Sequence, residues 1–227
     1  MEEYNGLNFL IDEDEDGIIA GTADDDFAVG TGRDEVIRLF NGNDAAIGFA
    51  GIDKIIGGAG DDTLIGGRGD DDLRGNTGSD DIIGGLGNDL INGGGSGDRL
   101  RGEVGADTIL GGNGEDTIAG GSGRDDIEGG RGDDIMRGGA AGDSFTFNPN
   151  RANEGDDVIV DFRIGRDKVV LNAADVIEAT PGLADFVVAN GGDGQSVLDA
   201  LDDSDDWSLG TDDNGDLVVT HPSGSIT

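Results

Sequence analysis

The sequence predicts an all-β fold: a parallel β-roll of stacked coils followed by a small C-terminal β-rich (α+β) cap. Three features of the 227 residues predict it: an internal period of nine, an aspartate that returns at the sixth place of each unit, and an apolar residue that returns at the eighth. The units Gly57 to Ile65 (GGAGDDTLI), Gly66 to Arg74 (GGRGDDDLR), Gly111 to Ala119 (GGNGEDTIA) and Gly120 to Glu128 (GGSGRDDIE) show the period most clearly.

Composition removes the alternatives. Hydrophobic residues make up 34% of the chain and aromatic residues 4%, too little for a thick globular core. Fifty acidic residues against 14 Lys and Arg give a formal charge of -36, which opposes compaction until something neutralises it. Nucleic acid and anionic lipid are poor partners for so acidic a surface, because both are held by Lys and Arg. Cations or basic proteins are its natural counterparts. There is no cysteine, hence neither a disulfide framework nor a thiolate metal site.

Residues 1–19 read as an acidic N-terminal segment. Its one apolar stretch, Leu7 to Ile11, is too short for a membrane anchor, and no basic region precedes it as in a secretory signal. Asp12, Asp14, Asp16 and Gly17 match the opening of an EF-hand loop, but Ala23 stands where the twelfth-position glutamate belongs. They are weaker metal candidates, and otherwise a solvated acidic turn.

The repeat frame spans 20–146 and is strongest over 57–146. Its sixth position reads Asp25, Asp34, Asp44, Asp53, Asp62, Asp71, Asp80, Asp89, Asp98, Asp107, Asp116, Asp125, Asp134 and Asp143. Its eighth reads Phe27, Val36, Ala46, Ile55, Leu64, Leu73, Ile82, Ile91, Leu100, Ile109, Ile118, Ile127, Met136 and Phe145, the expected core. Keeping this frame requires one additional residue near Arg38, read as a bulge, and the early positions Asp25, Asp34 and Asp44 are the weaker candidates.

The glycines suit a tight turn whose carbonyls stay uncovered: Gly57, Gly58 and Gly60; Gly66 and Gly69; Gly84 and Gly87; Gly111 and Gly114; Gly120 and Gly123; Gly129 and Gly132. The three residues after each aspartate alternate like a short strand. Two units make a coil of about 18 residues, which sends alternate aspartates to opposite edges at roughly 4.8 Å spacing. Neighbouring carboxylates at that distance repel by ~1 kcal/mol in water and ~3 kcal/mol at an effective dielectric near 20. A divalent cation shared by successive turns reverses the sign, and about ten such ions would cancel about twenty charges. An all-oxygen, carbonyl-rich shell favours Ca2+ over magnesium, and one histidine without cysteine excludes zinc.

These residues resemble the RTX (repeats-in-toxin) calcium-binding nonapeptide repeats of the hemolysin type. The resemblance implies a right-handed parallel β-roll that folds when secreted into millimolar calcium. It extends to Asp157 to Asn172 (DVIVDFRIGRDKVVLN), similar to the hairpin that caps the roll in relatives, with Phe145, Phe147, Val158, Phe162 and Leu171 closing the core. Residues 147–227 are thus expected to form the cap, with a helix near Ser196 to Leu201 and strands near Trp207 to Leu209 and Leu217 to Thr220. In the family this region carries an export signal for type I secretion.

Other motifs carry less. Arg68-Gly69-Asp70 and Arg131-Gly132-Asp133 follow from the repeat frame, and Asp212 to Asp216 (DDNGD) reads first as a hairpin turn. His221, the single histidine, has no triad or HExxH around it, and a solenoid one side chain thick offers no deep pocket. A noncatalytic, secreted calcium-binding module is expected. The alternatives are a calcium-hardened assembly or adhesion component, meeting a protein partner or a second copy through its terminal segments, and a fragment of a secreted hydrolase.

Overall fold

The computed structural model describes residues 2–4, 7–11, 16–147, 155–163, 165–171, 186–188, 208–211 and 217–220. Asp12, Asp14, the helix expected at 196–201, the DDNGD stretch and His221 lie outside them.

Every regular element among the described residues is a strand. The first eleven are β1 (Glu2–Tyr4), β2 (Leu7–Ile11), β3 (Ile18–Ala20), β4 (Asp26–Val29), β5 (Val36–Asn41), β6 (Ala45–Ala50), β7 (Lys54–Ala59), β8 (Thr63–Arg68), β9 (Asp72–Thr77), β10 (Asp81–Leu86) and β11 (Leu90–Gly95). The next eight are β12 (Arg99–Val104), β13 (Thr108–Asn113), β14 (Thr117–Ser122), β15 (Asp126–Arg131), β16 (Ile135–Ala140), β17 (Ser144–Phe147), β18 (Val158–Ile159) and β19 (Lys168–Leu171). β20 (Phe186–Val188), β21 (Ser208–Thr211) and β22 (Leu217–Thr220) complete the series.

The chain winds as a parallel β-solenoid. Even-numbered strands from β2 to β20 form one sheet, whose ends are β1 and the β22-β21 pair, and odd-numbered strands from β3 to β19 form the other. Each strand therefore pairs with the strand two places on, and the register advances one coil at a time: Ile82 lies between Leu64 and Leu100, and Ile91 between Leu73 and Ile109. This stacking carries past both ends of the repeat segment, since Leu10 and Ile19 join the core before it and Ile159 after it.

The core is two facing rows of eighth-position side chains. Leu64, Leu73, Ile82, Ile91, Leu100 and Ile109 are wholly buried, while their sequence neighbours face outward. Period-two alternation within a strand and identical register between coils put one apolar side chain of each regular strand inside, and two in β5 (Ile37, Leu39) and β17 (Phe145, Phe147).

Two expectations need correction. The buried rows begin Ala28, Ile37, Ala46, not Phe27, Val36, Ala46, and β4 pairs with β6 through Ala28 opposite Ala46 without any bulge near Arg38. The nine-residue frame is unbroken, because Glu35 takes an aspartate's place and Ala28 a larger residue's. Secondly, Asp157 to Leu171 does not fold back on itself as a hairpin. β18 adds to one sheet beside β16 and β19 to the other beside β17, so the segment is a further coil, with Phe162 packed 6.2 Å from Phe145.

Truncating one core residue opens a void that neighbouring coils cannot close. Leu73→Ala is expected to cost about 2–5 kcal/mol of stability in saturating calcium, measured by denaturant unfolding. An unchanged midpoint would contradict the core assignment.

Candidate metal centre

At the end of each turn the sixth-position carboxylate folds inward between two coils. Its first oxygen is held by backbone: Asp62 Oδ1 accepts from the Asp44 N–H at 2.8 Å, Asp80 from Asp62 at 2.8 Å, and Asp98 from Asp80 at 2.8 Å. On the opposite edge Asp71 accepts from Asp53 at 2.8 Å, Asp89 from Asp71 at 2.9 Å and Asp107 from Asp89 at 2.8 Å. Asp116, Asp125, Asp134 and Asp143 continue the same ladder, every step spanning 18 residues.

The second oxygen has no such partner. The Oδ2 atoms of Asp44, Asp53, Asp62, Asp71, Asp80, Asp89, Asp98, Asp107, Asp116, Asp125, Asp134 and Asp143 are buried and take no hydrogen bond. A charged oxygen left this way costs several kcal/mol. Glycine makes the position reachable. A Cβ on Gly66 would lie 2.3 Å from Asp71 Oδ2 and 2.8 Å from the Gly84 carbonyl oxygen of the next coil. Two acceptors thus converge over a bare Cα, and the same pairing recurs at Gly48, Gly75, Gly93, Gly102, Gly111 and Gly120.

Each predicted glycine has a definite place. Gly57, Gly66, Gly84, Gly111, Gly120 and Gly129 lie buried under the carboxylates of their own repeats. Gly58 and the fourth-position glycines Gly60, Gly69, Gly87, Gly114, Gly123 and Gly132 have positive φ. Gly87 shows the constraint: at φ 136° a Cβ would meet the Gly69 carbonyl oxygen at 1.9 Å, so only glycine lets the coils stack this closely.

Asp25 and Asp34 do not belong to this column. Both are exposed one place before it, accepting from the N–H groups of Asn43 and Ile52, while the buried places are held by Asp26 and Glu35. The exposed ladder continues from Asn43 to Asp61 and from Asp61 to Ser79, an Asx feature hidden in the sequence by its variable fifth position. Asp16 is exposed and accepts from the Ile18 N–H at 2.9 Å, an acidic turn. Sequence reading missed Asp157 and Asp167, which extend the two columns by accepting from Asp134 and Asp143 at 3.0 Å each. Their intervals from the previous aspartate, 23 and 24 residues, break the period that revealed the others.

Among the described residues no point gathers three acidic or histidine side chains. A cation held here would take backbone carbonyls, such as that of Gly84, beside a carboxylate oxygen. That donor set is hard and all-oxygen, the kind Ca2+ accepts. Four copies of the RTX calcium-binding nonapeptide repeat match residues 38–73, 47–82, 74–109 and 110–145, all in the structural frame. No match was found among curated proteins. The repeat family implies calcium binding.

Burial holds these carboxyls above the usual range against the backbone hydrogen bond that lowers them, and like charge from neighbouring coils adds to it at Asp62, Asp89, Asp98 and Asp134. Burial pushes Asp80 and Asp116 up to about 6, Asp62, Asp89 and Asp98 to about 7, and Asp134 to about 8. A carboxyl whose folded pKa exceeds its unfolded value stabilises the fold fully below about pH 4, and that stability is lost as pH rises through the folded pKa. Without metal, the roll should therefore gain β structure as pH falls from 8 towards 4, followed by circular dichroism at low protein concentration. Greater ion-free order at pH 8 than at pH 5 would contradict this sign.

Proposed function

We propose that this chain, whose residues 38–145 are RTX calcium-binding nonapeptide repeats, is a noncatalytic structural module that folds and is stabilised when calcium ions bind along its turns. The observation that carries the reading is the double row of buried aspartate oxygens without partners. An ion between successive turns would take the Oδ2 of Asp53, Asp62, Asp71, Asp80, Asp89, Asp98, Asp107, Asp116, Asp125, Asp134 or Asp143 together with glycine carbonyls. Asp44 joins them at the margin, because Leu39 fills the place of its glycine.

Binding energy in such a site is folding energy, since the site does not exist in the unfolded chain. Weak, carbonyl-rich sites of this kind respond at about 10⁻⁴–10⁻³ M calcium, the range of extracellular modules. Secretion, or display outside a cell, is therefore part of the proposal: the chain stays unfolded where calcium is scarce and sets where it is plentiful.

A calcium titration followed by far-ultraviolet circular dichroism, with magnesium as the control and calorimetry to count ions, tests the reading. A cooperative coil-to-β transition with several ions bound is expected for calcium alone, and Asp89→Asn should raise its midpoint. A chain fully folded in chelator, or folded equally by magnesium, would refute it.

A further inference from the structure

The partnerless oxygens do not run the full length of the columns. They begin at Asp44 and end at Asp143, yet four more column acids occupy buried places beyond them: Asp157, and the three at Asp26, Glu35 and Asp167. At each of the three, the second carboxylate oxygen already has a donor. Asp26 Oδ2 accepts from the Thr22 N–H at 2.6 Å and the Thr22 hydroxyl at 3.2 Å. Glu35 Oε2 accepts from the Thr31 N–H at 3.2 Å, and the Thr31 hydroxyl donates to its Oε1. Asp167 Oδ2 accepts from the Arg163 N–H at 2.7 Å. In all three the amide lies four residues before the acid.

Resting on the calcium-binding reading above, we infer that the terminal turns at Asp26, Glu35 and Asp167 are metal-independent, with an N–H four residues upstream taking the place of the ion, so that the calcium array does not extend to these three turns.

The physical cause is visible in the turn. Regular turns place a positive φ at the second position, as at Gly58 (133°) and Gly67 (120°), and non-glycine residues adopt it there at Phe40, Phe49, Asn76 and Glu103. Threonine is β-branched, and positive φ is a genuine outlier for such a residue. Thr22 and Thr31 occupy this second position without adopting it. Their turns run differently, and the freed N–H and hydroxyl close on the carboxylate.

The placement follows from stacking. An ion shared between coils needs an acid on the neighbouring coil, and the column places one coil before Asp26 and Glu35 are Asn8 and Gly17. On that outer side neither acid meets a second carboxylate, and each is satisfied from within its own turn. Asp161 serves the same end of the roll as Asp167, its two oxygens accepting from the N–H groups of Gly138 and Gly139 at 2.9 Å each.

Native mass spectrometry of the calcium-loaded full chain resolves single bound ions and separates the outcomes. Asp98→Asn should carry at least one ion fewer than the unaltered chain, whereas Asp26→Asn, Glu35→Gln and Asp167→Asn should each carry the same number. If the terminal variants lose ions as Asp98→Asn does, the inference is overturned while the calcium reading stands. If Asp98→Asn loses none, or the unaltered chain holds no calcium, the calcium reading itself fails. Three variants at two ends keep the comparison decisive should one of them fold poorly, and circular dichroism in calcium identifies such a case.

Discussion

Everything in this structure depends on one unresolved charge: a carboxylate oxygen buried between coils, repeated along both edges of a solenoid, with no donor to meet it. Asp62 illustrates the situation. One oxygen is tied to the Asp44 N–H, the other faces the backbone of Gly57 without a hydrogen bond, and the group is buried. Desolvation penalises the charge and the next aspartate in the column repels it. The coil geometry that gives the protein its core thus creates its own instability at neutral pH. A cation at such a turn would remove the penalty, as a proton does in acid.

The same constraint explains why the sequence is so repetitive. From Asp53 to Asp143 each carboxylate reaches its place over a residue with no side chain, and most fourth positions have no Cβ where the coils approach, as at Gly87 over the Gly69 carbonyl. The single buried apolar residue of a regular strand, such as Ile82 or Ile91, then sets a thin core under a formal charge of -36. Glycine, aspartate and one aliphatic residue in nine are parts of one mechanism: approach, charge and burial must all repeat at the same interval or the columns fall out of register.

Most of the fold was legible because that interval is written in residue identity. From Gly57 to Phe145 the columns named from sequence are the buried ones. The reading failed where identity and geometry part. Asp25 and Asp34 were preferred over Asp26 and Glu35 because the frame followed aspartate, although a glutamate one methylene longer takes the place with help from Thr31. The frame through Asp25 puts Phe27 at the eighth position, whereas stacking in register points Ala28 inward. Asp157 and Asp167 were invisible to a search for nine because the links before them are longer, and only the closed ladder to Asp134 and Asp143 reveals them. The partnerless second oxygens could not be read from sequence at all, since they depend on which coil each carboxylate leans towards.

The most direct test is to locate the ions. Anomalous diffraction from crystals grown in calcium should show two rows of peaks, one along each turn edge between Asp44 and Asp143, with neighbours roughly 4.8 Å apart and Oδ2 atoms as ligands. Turn edges without peaks, with the same carboxylates hydrogen-bonded only to protein and water, would contradict ion-bridged stacking.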